Sequence, residues 1–406
     1  MQRISFIVKL AKRVLGSITS LLKESLATCL LVIAPLYLSS LAYATDTIAT
    51  PAVKVAVAPT AKVAPHIALL LPLKSTDFGS SAEAVLQGIL AAEKNLPHLL
   101  PVQVYDCSDE NADITSLYQQ AVANGARAVI GPLTRNSVAN LTNFSGITVP
   151  TLALNIVDGK SSDKLYYFGL TAVSEARKIA RLAASSGLHT AIIVNSGTPL
   201  SKRLAQAFAA EWKILGNKIS KEIVFHNDFG VFTDLPAEEG NMVFLAADAE
   251  DGHLIHPYLN PSLPVYATSQ IFNGNSDTLV NFDLGDVHFI DMPWLLQPDH
   301  PAVMIFPHAN PVLNPDMERL YALGIDAFRL LQIMLSNSFN TSLPLDGVTG
   351  RIRLNAYHQF EREPIPALFW QGRGLTPEDI ALKKAELEAA QASAASGISA
   401  ISAPSQ

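Results

Sequence analysis

From His66 onward the chain alternates between two hydrophobic periods. His66–Leu71 is a near-continuous apolar run of strand length, and Ser80–Asn95 follows with Ala84, Leu86, Ile89 and Leu90 at helical spacing. The alternation then repeats: a strand over Val102–Tyr105, a helix over Ile114–Asn124, a strand over Ala128–Ile130, a helix over Ser137–Phe144 and a strand over Val149–Leu154. After a joint near Phe168–Thr171 the series restarts. It gives a helix over Ala172–Ser185, a strand over Thr190–Val194, a helix over Leu200–Leu215, strands over Ile219–Phe225 and Met242–Leu245, a helix over Ala249–Leu259 and a strand over Val265–Ala267. Apolar strands separated by amphipathic helices are βαβ units, whose parallel sheets are covered on both faces. Two such sets predict an α/β fold of two doubly wound parallel-sheet lobes around a cleft.

The remaining pattern sets the boundaries. The apolar helix Met317–Leu335 needs a sheet to pack on, and Leu345–Leu354 with Ala367–Trp370 reads as a late hairpin built around Asp346-Gly347. The expected globular part is 66–374, with one lobe over roughly 66–168 plus 268–340 and the other over roughly 169–267 plus 341–374. Residues 45–65 are rich in Ala, Val, Thr and Pro and read as a disordered linker. Residues 375–406 read as a short charged helix, over Thr376–Ala392, and a disordered Ala/Ser-rich tail.

Residues 1–44 read as a cleavable signal peptide. A basic region ends at Lys23, an apolar run covers Leu26–Leu41, and Ala42-Tyr43-Ala44 is a small-x-small cleavage site. In Leu26-Ala27-Thr28-Cys29 the apolar region follows the cysteine, which argues against a lipoprotein form and against outer-membrane attachment. The expected location is the periplasm. Cleavage removes Cys29 and leaves Cys107 alone, so no internal disulfide is available. The first 44 residues hold five basic side chains and one acidic one, so the rest of the chain is more acidic than the formal net charge of −7. Such a charge repels nucleic acid, which is excluded as a main partner.

Catalytic constellations are missing. The sequence has no Gly-x-Gly-x-x-Gly, no phosphate-binding P-loop, no Gly-x-Ser-x-Gly and no His-Glu-x-x-His. Ser161-Ser162-Asp163-Lys164 fits Ser-x-x-Lys, but it lies in a polar connection with no Lys-Thr-Gly after it and reads as a solvated loop. The ten histidines are scattered without metal-site spacing. No catalytic residue, metal or cofactor is expected. In open α/β sheets a ligand lies beyond the C-terminal strand ends, where Ser75, Thr134, Asn155, Asp248, Ser269 and Gln270 fall. These are the cleft candidates. The competing reading is that they cap helices and bond across the lobes. Trp212, Trp294 and Trp370 read as core.

Several segments carry a resemblance. Ile67-Ala68-Leu69-Leu70-Leu71-Pro72-Leu73, Ile130-Gly131-Pro132-Leu133-Thr134-Arg135, Ala267-Thr268-Ser269-Gln270-Ile271, Asp291-Met292-Pro293-Trp294-Leu295-Leu296 and Leu345-Asp346-Gly347-Val348-Thr349-Gly350-Arg351 occur in an order that resembles the LppC/LpoA family of bacterial envelope proteins. The resemblance covers roughly Pro65–Gly374. It implies a type I periplasmic-binding-protein-like fold and a non-enzymatic activator of penicillin-binding proteins, with a class A penicillin-binding protein as partner. Related amino-acid-binding proteins hold a ligand carboxylate after their third and fourth strands, where Thr134 and Asn155 fall, so a small ligand in the cleft is the alternative. On that view the chain is a solute-binding protein of a transporter. Longer family members carry an N-terminal helical-repeat domain. Here only the short linker separates the leader from His66, so the expectation is that the two-lobed module acts alone.

Overall fold

The computed structural model describes residues 64–401, save 108–110, 158, 160–161, 277 and 337–341. The expected signal peptide, Cys29, nearly all of the linker, and Ser161 lie outside the described residues. The first sheet begins with β1 (His66–Leu71), β2 (Val102–Asp106), β3 (Ala126–Ile130), β4 (Thr151–Ala153) and β5 (Leu165–Phe168). The second begins with β6 (Thr190–Asn195), β7 (Lys218–Val224), β8 (Asn241–Ala246), β9 (Val265–Ala267) and β10 (Val287–Asp291). The chain then returns to the first sheet with β11 (Leu345–Gly347), β12 (Gly350–Leu354) and β13 (Gln359–Glu363), and ends in the second with β14 (Ile365–Trp370) and β15 (Arg373–Leu375). The orders are β11-β12-β13-β5-β4-β3-β1-β2 and β15-β14-β10-β9-β8-β6-β7. The early strands pair in parallel; β12 with its two neighbours, and β14 with its two, pair antiparallel.

This α/β architecture of two lobes agrees with the sequence pattern, but the lobe boundaries need correcting. β10 pairs in parallel with β9, so 268–291 belongs with the second sheet. The hairpin β11–β12 runs into β13, which adds to β5 with Phe360 opposite Phe168, so 345–363 belongs to the first. Ala367–Trp370 is therefore no partner of Leu345–Leu354; it pairs with β10. Strand period alone does not say which sheet edge a late strand joins. The C-terminal helix, expected to stop near Ala392, spans Pro377–Ile401. Alanine, the strongest helix former, carries it through the stretch read as disordered.

The central strands are buried on both faces. In β1, Ile67, Leu69 and Leu71 enter one core and Ala68 and Leu70 the other. In β8, Val243 and Leu245 face one side and Met242, Phe244 and Ala246 the opposite one. This is the period of two expected of a buried parallel strand. The first core is sealed by the helices Gly79–Asn95 and Pro315–Leu335, which cross at near backbone contact. A Cβ on Gly88 would lie 2.0 Å from the Tyr321 carbonyl oxygen, and one on Gly324 would lie 2.3 Å from that of Val85. Glycine costs about 1 kcal/mol in a helix interior, and here close approach explains it. Asp326, fully buried on the long helix, accepts from the backbone N–H of Val348 (3.2 Å) and Thr349 (2.8 Å) and from the Thr349 hydroxyl (2.7 Å). It thereby fixes the turn between β11 and β12.

Candidate functional site

The lobes meet where the parallel strands of both sheets end, and the loops there carry the predicted residues. Most are turned to local work. Ser75 Oγ accepts from the backbone N–H of Asp77 (3.2 Å) and Phe78 (3.0 Å), tying down the turn that enters the first helix. Thr134 caps the helix Arg135–Thr142, accepting from the Ser137 N–H (3.4 Å) and donating to the Ser137 hydroxyl (2.9 Å). Asn155 donates from Nδ2 to the Leu133 carbonyl (3.1 Å) and accepts from the Ile156 N–H (2.9 Å). Asp248, exposed, caps the helix Ala249–Ile255 through the Asp251 N–H (3.0 Å). Each is the use expected of a short polar side chain at a helix or turn start.

Ser269 and Gln270 are different, because they reach the space between the lobes. There they meet Glu175, Asp316, Arg319 and Arg362 around a cavity of about 150 Å³. Glu175 lies on the helix Ala172–Ser185 of the second lobe. Its Oε2 accepts from the Ser269 hydroxyl (2.6 Å) and N–H (3.2 Å), while its Oε1 accepts from Arg362, on β13 of the first lobe. Arg319, on the long helix of the first lobe, donates to Asp291 at the end of β10 in the second (2.6 Å), to Asp316 (2.7 Å), and to the carbonyls of Ser269 (3.0 Å) and Phe272 (2.8 Å). Asp291, Glu175, Arg319 and Arg362 are all buried. Burial, the largest single influence, opposes the charge on Arg319, but the Asp291, Asp316 and Glu175 carboxylates together outweigh it and raise the guanidinium pKa. Two buried ion pairs thus cross the cleft and use up its strongest polar groups.

None of Glu175, Asp291, Arg319 or Arg362 was expected from the sequence. A signal was present: Glu175 lies four residues before Ile179, and Arg319 lies three and four before Ala322 and Leu323, all core residues. A charge on the apolar stripe of a helix must be paired. Beside this network Lys178 donates to the Arg362 carbonyl, and burial, then the Arg362 charge, lowers its ammonium to about 8.

Other groups are inert or structural. Cys107 is buried, and burial followed by the Asp106 charge pushes its thiol up to about 12, far from the range of a nucleophile. Trp294 is core; its indole N–H donates to Glu318 (2.5 Å), and its ring packs on His308 and Tyr321. Trp212 is fully buried and donates to the Lys218 carbonyl (2.8 Å). Lys164, in the Ser-x-x-Lys stretch, donates to the Thr148 carbonyl in an exposed setting. Among the described residues no His, Cys, Asp and Glu group is arranged to hold a metal ion, and no helix is long and apolar enough to cross a membrane.

Two doubly wound lobes, exchanged by the chain three times and facing each other across strand C-termini, define a protein of type I periplasmic-binding-protein-like fold. Within that class the chain belongs to the LppC family, whose model, described as "LppC putative lipoprotein", matches residues 59–232 and 230–372. It is 28% identical over 314 residues to the penicillin-binding protein activator LpoA of Glaesserella parasuis, a match covering 73% of this chain and 52% of that protein. The chain thus spans about half the length of the curated relatives it matches. Among solved structures, a Chromobacterium violaceum protein described as a "putative branched-chain amino acid ABC transporter" is 36% identical, with a TM-score of 0.65 over 75% of this chain and 100% of that one. The C-domain of LpoA from Haemophilus influenzae, described as a regulator of PBP1A, superposes with a TM-score of 0.63 at 24% identity, over 76% of this chain and 99% of that one.

Proposed function

We propose that this chain is a non-catalytic regulator that binds a class A penicillin-binding protein in the periplasm and stimulates peptidoglycan synthesis. The observation that carries the reading is a cleft whose charged groups pair with each other across the lobes, in a family whose curated relatives are named as activators. A regulator of this kind acts by binding the synthase's active conformation more tightly than the inactive one; equal affinity for both would shift nothing. The partner supplies the chemistry, which fits the missing nucleophile, metal and cofactor motifs of the sequence. Export with cleavage after Ala44 brings the mature protein, beginning at Thr45, to that compartment without a lipid anchor; mass spectrometry of its N-terminus tests this, and a lipidated Cys29 would refute it. The functional test is glycan polymerisation and cross-linking by the cognate synthase with and without the purified chain. Acceleration is expected, with no turnover by the chain alone.

A second reading, a solute-binding protein, draws on the 36% identity to the Chromobacterium violaceum protein. It requires that a ligand displace the self-paired charges around the 150 Å³ cavity. An amino acid that raises the melting temperature markedly, together with no effect on any class A synthase, would move the conclusion to it.

A further inference from the structure

We propose that an acidic, aromatic-rimmed pocket at the N-terminal ends of β9 and β10, on the side of the second lobe away from the cleft, is the seat of a polypeptide segment of the partner that presents a lysine or arginine beside an apolar residue. The inference rests on the regulator reading. The pocket has a volume of about 680 Å³, and its lining includes His256, Pro261, Phe282, Asp283, Asp286 and His288. No lysine or arginine lines it. Asp283 and Asp286 are exposed. His253 meets Asp283 Oδ1 at 2.5 Å, and the His256 ring meets the Asp283 carbonyl at 2.6 Å. Burial lowers the pKa of His288, against the pull of Asp286 beside it.

The rim is apolar and unusually open. Leu279, Val280 and Phe282 are 81%, 55% and 60% exposed within four residues, and Tyr258 and Leu254, on the elements packed against this turn, are also exposed. Scattered exposed apolar side chains need no explanation, but a concentration beside a pocket marks a docking surface. The two carboxylates select a cation, and Phe282 lines the same pocket, where an aromatic ring adds attraction for one. Leu279 and Val280 are not among the pocket-lining residues, so a free amine filling the pocket would leave them in water. A polypeptide with a flanking apolar side chain covers both features.

The test uses the full chain and its cognate class A synthase. Binding is measured at two salt concentrations for wild type, for Val280→Ser/Phe282→Ser and for Asp286→Asn. Asparagine tolerates the left-handed backbone of Asp286 (φ 66). Melting temperature confirms the fold of each variant, and sedimentation reports self-association. The apolar double variant should bind roughly tenfold more weakly or worse, and Asp286→Asn should lose part of the salt dependence. Wild-type affinity in both variants overturns the docking site while leaving the regulator reading intact. Self-association of the wild type that the variants abolish overturns it in favour of a second copy. Binding of free lysine amide as tight as that of the synthase overturns it in favour of a small amine. If the wild type binds no class A synthase, the regulator reading fails and the docking site with it.

Discussion

Two buried seams hold this molecule together, and they are built from opposite materials. Between the helices Gly79–Asn95 and Pro315–Leu335 the seam is backbone against backbone, with Gly88 and Gly324 at the crossing and apolar side chains around them. Between the lobes the seam is ionic, with Arg319–Asp291 and Arg362–Glu175 buried across it. The apolar seam stabilises through area removed from water. The ionic seam costs about as much desolvation as its attraction returns. What it gives is position: donors and acceptors fit in one arrangement of the lobes only. A protein that works by presenting one fixed surface to a partner is served by such a seam, whereas a ligand trap needs its cleft charges available.

The largest expected effect breaks the ionic seam on one side. Arg319→Met leaves Asp291 buried and unpaired and removes donors from the Ser269 and Phe272 carbonyls, so a loss of about 3–5 kcal/mol is expected by urea denaturation. Arg319→Met with Asp291→Leu should recover most of that loss, but not all, because the two carbonyls stay without their donor. If the double variant is as unstable as the single one, the attraction itself and not the orphaned charge holds the seam. The apolar seam answers differently. Gly88→Ala places a methyl 2.0 Å from a backbone oxygen that belongs to the other helix, so the helices must part, at a cost of about 1–3 kcal/mol. A neutral outcome there would show that the crossing has slack.

The difference between the seams is also a difference in legibility. The apolar one was written in period: Ala84 and Ile89 on one helix and Ala322, Ile325 and Leu330 on the other fall on core stripes, and both helices were expected within two residues of where they lie. The strands β1 and β9 and the helix Ala172–Ser185 match their expected bounds. β5 leaves no mark in the pattern because Leu165–Phe168 is four residues long and directly precedes the crossover to the second lobe. The sheet membership of β10 to β13 is not legible either, because local pattern carries no information about which edge is vacant. Of the six strand-end candidates only Ser269 and Gln270 line the cavity between the lobes; the charged groups around them come from the first turns of two helices, the end of β10 and a late strand, far apart in sequence. Only a charge on an apolar stripe hints at them.

A smaller effect separates cap from ligand group at the cleft rim. Thr134→Ala should cost about 0.5–2 kcal/mol, the worth of a lost helix cap. Combined with Asn155→Ala it should remove no ligand heat in calorimetry against amino acids and wall fragments. A micromolar signal in the wild type that vanishes in the double variant would make these residues binding groups and open the ionic seam to question.

The smallest effect is a pH dependence at the edge of the seam. Lys178 has a folded pKa of about 8 against an ordinary value of 10.5, lowered first by burial and then by Arg362. Below pH 8 the ammonium is charged in folded and unfolded chains alike, and the fold bears the full penalty of burying it. Between about 8 and 10.5 the folded chain has released the proton while the unfolded chain still holds it, so stability from this group rises with pH. Lys178→Met removes the term. The melting temperature of the variant minus that of the wild type should therefore stay constant up to about pH 8 and then fall toward pH 10.5. Parallel melting curves across that range would mean that Lys178 reaches solvent freely, and that the ionic seam is wetter at this end than its burial indicates.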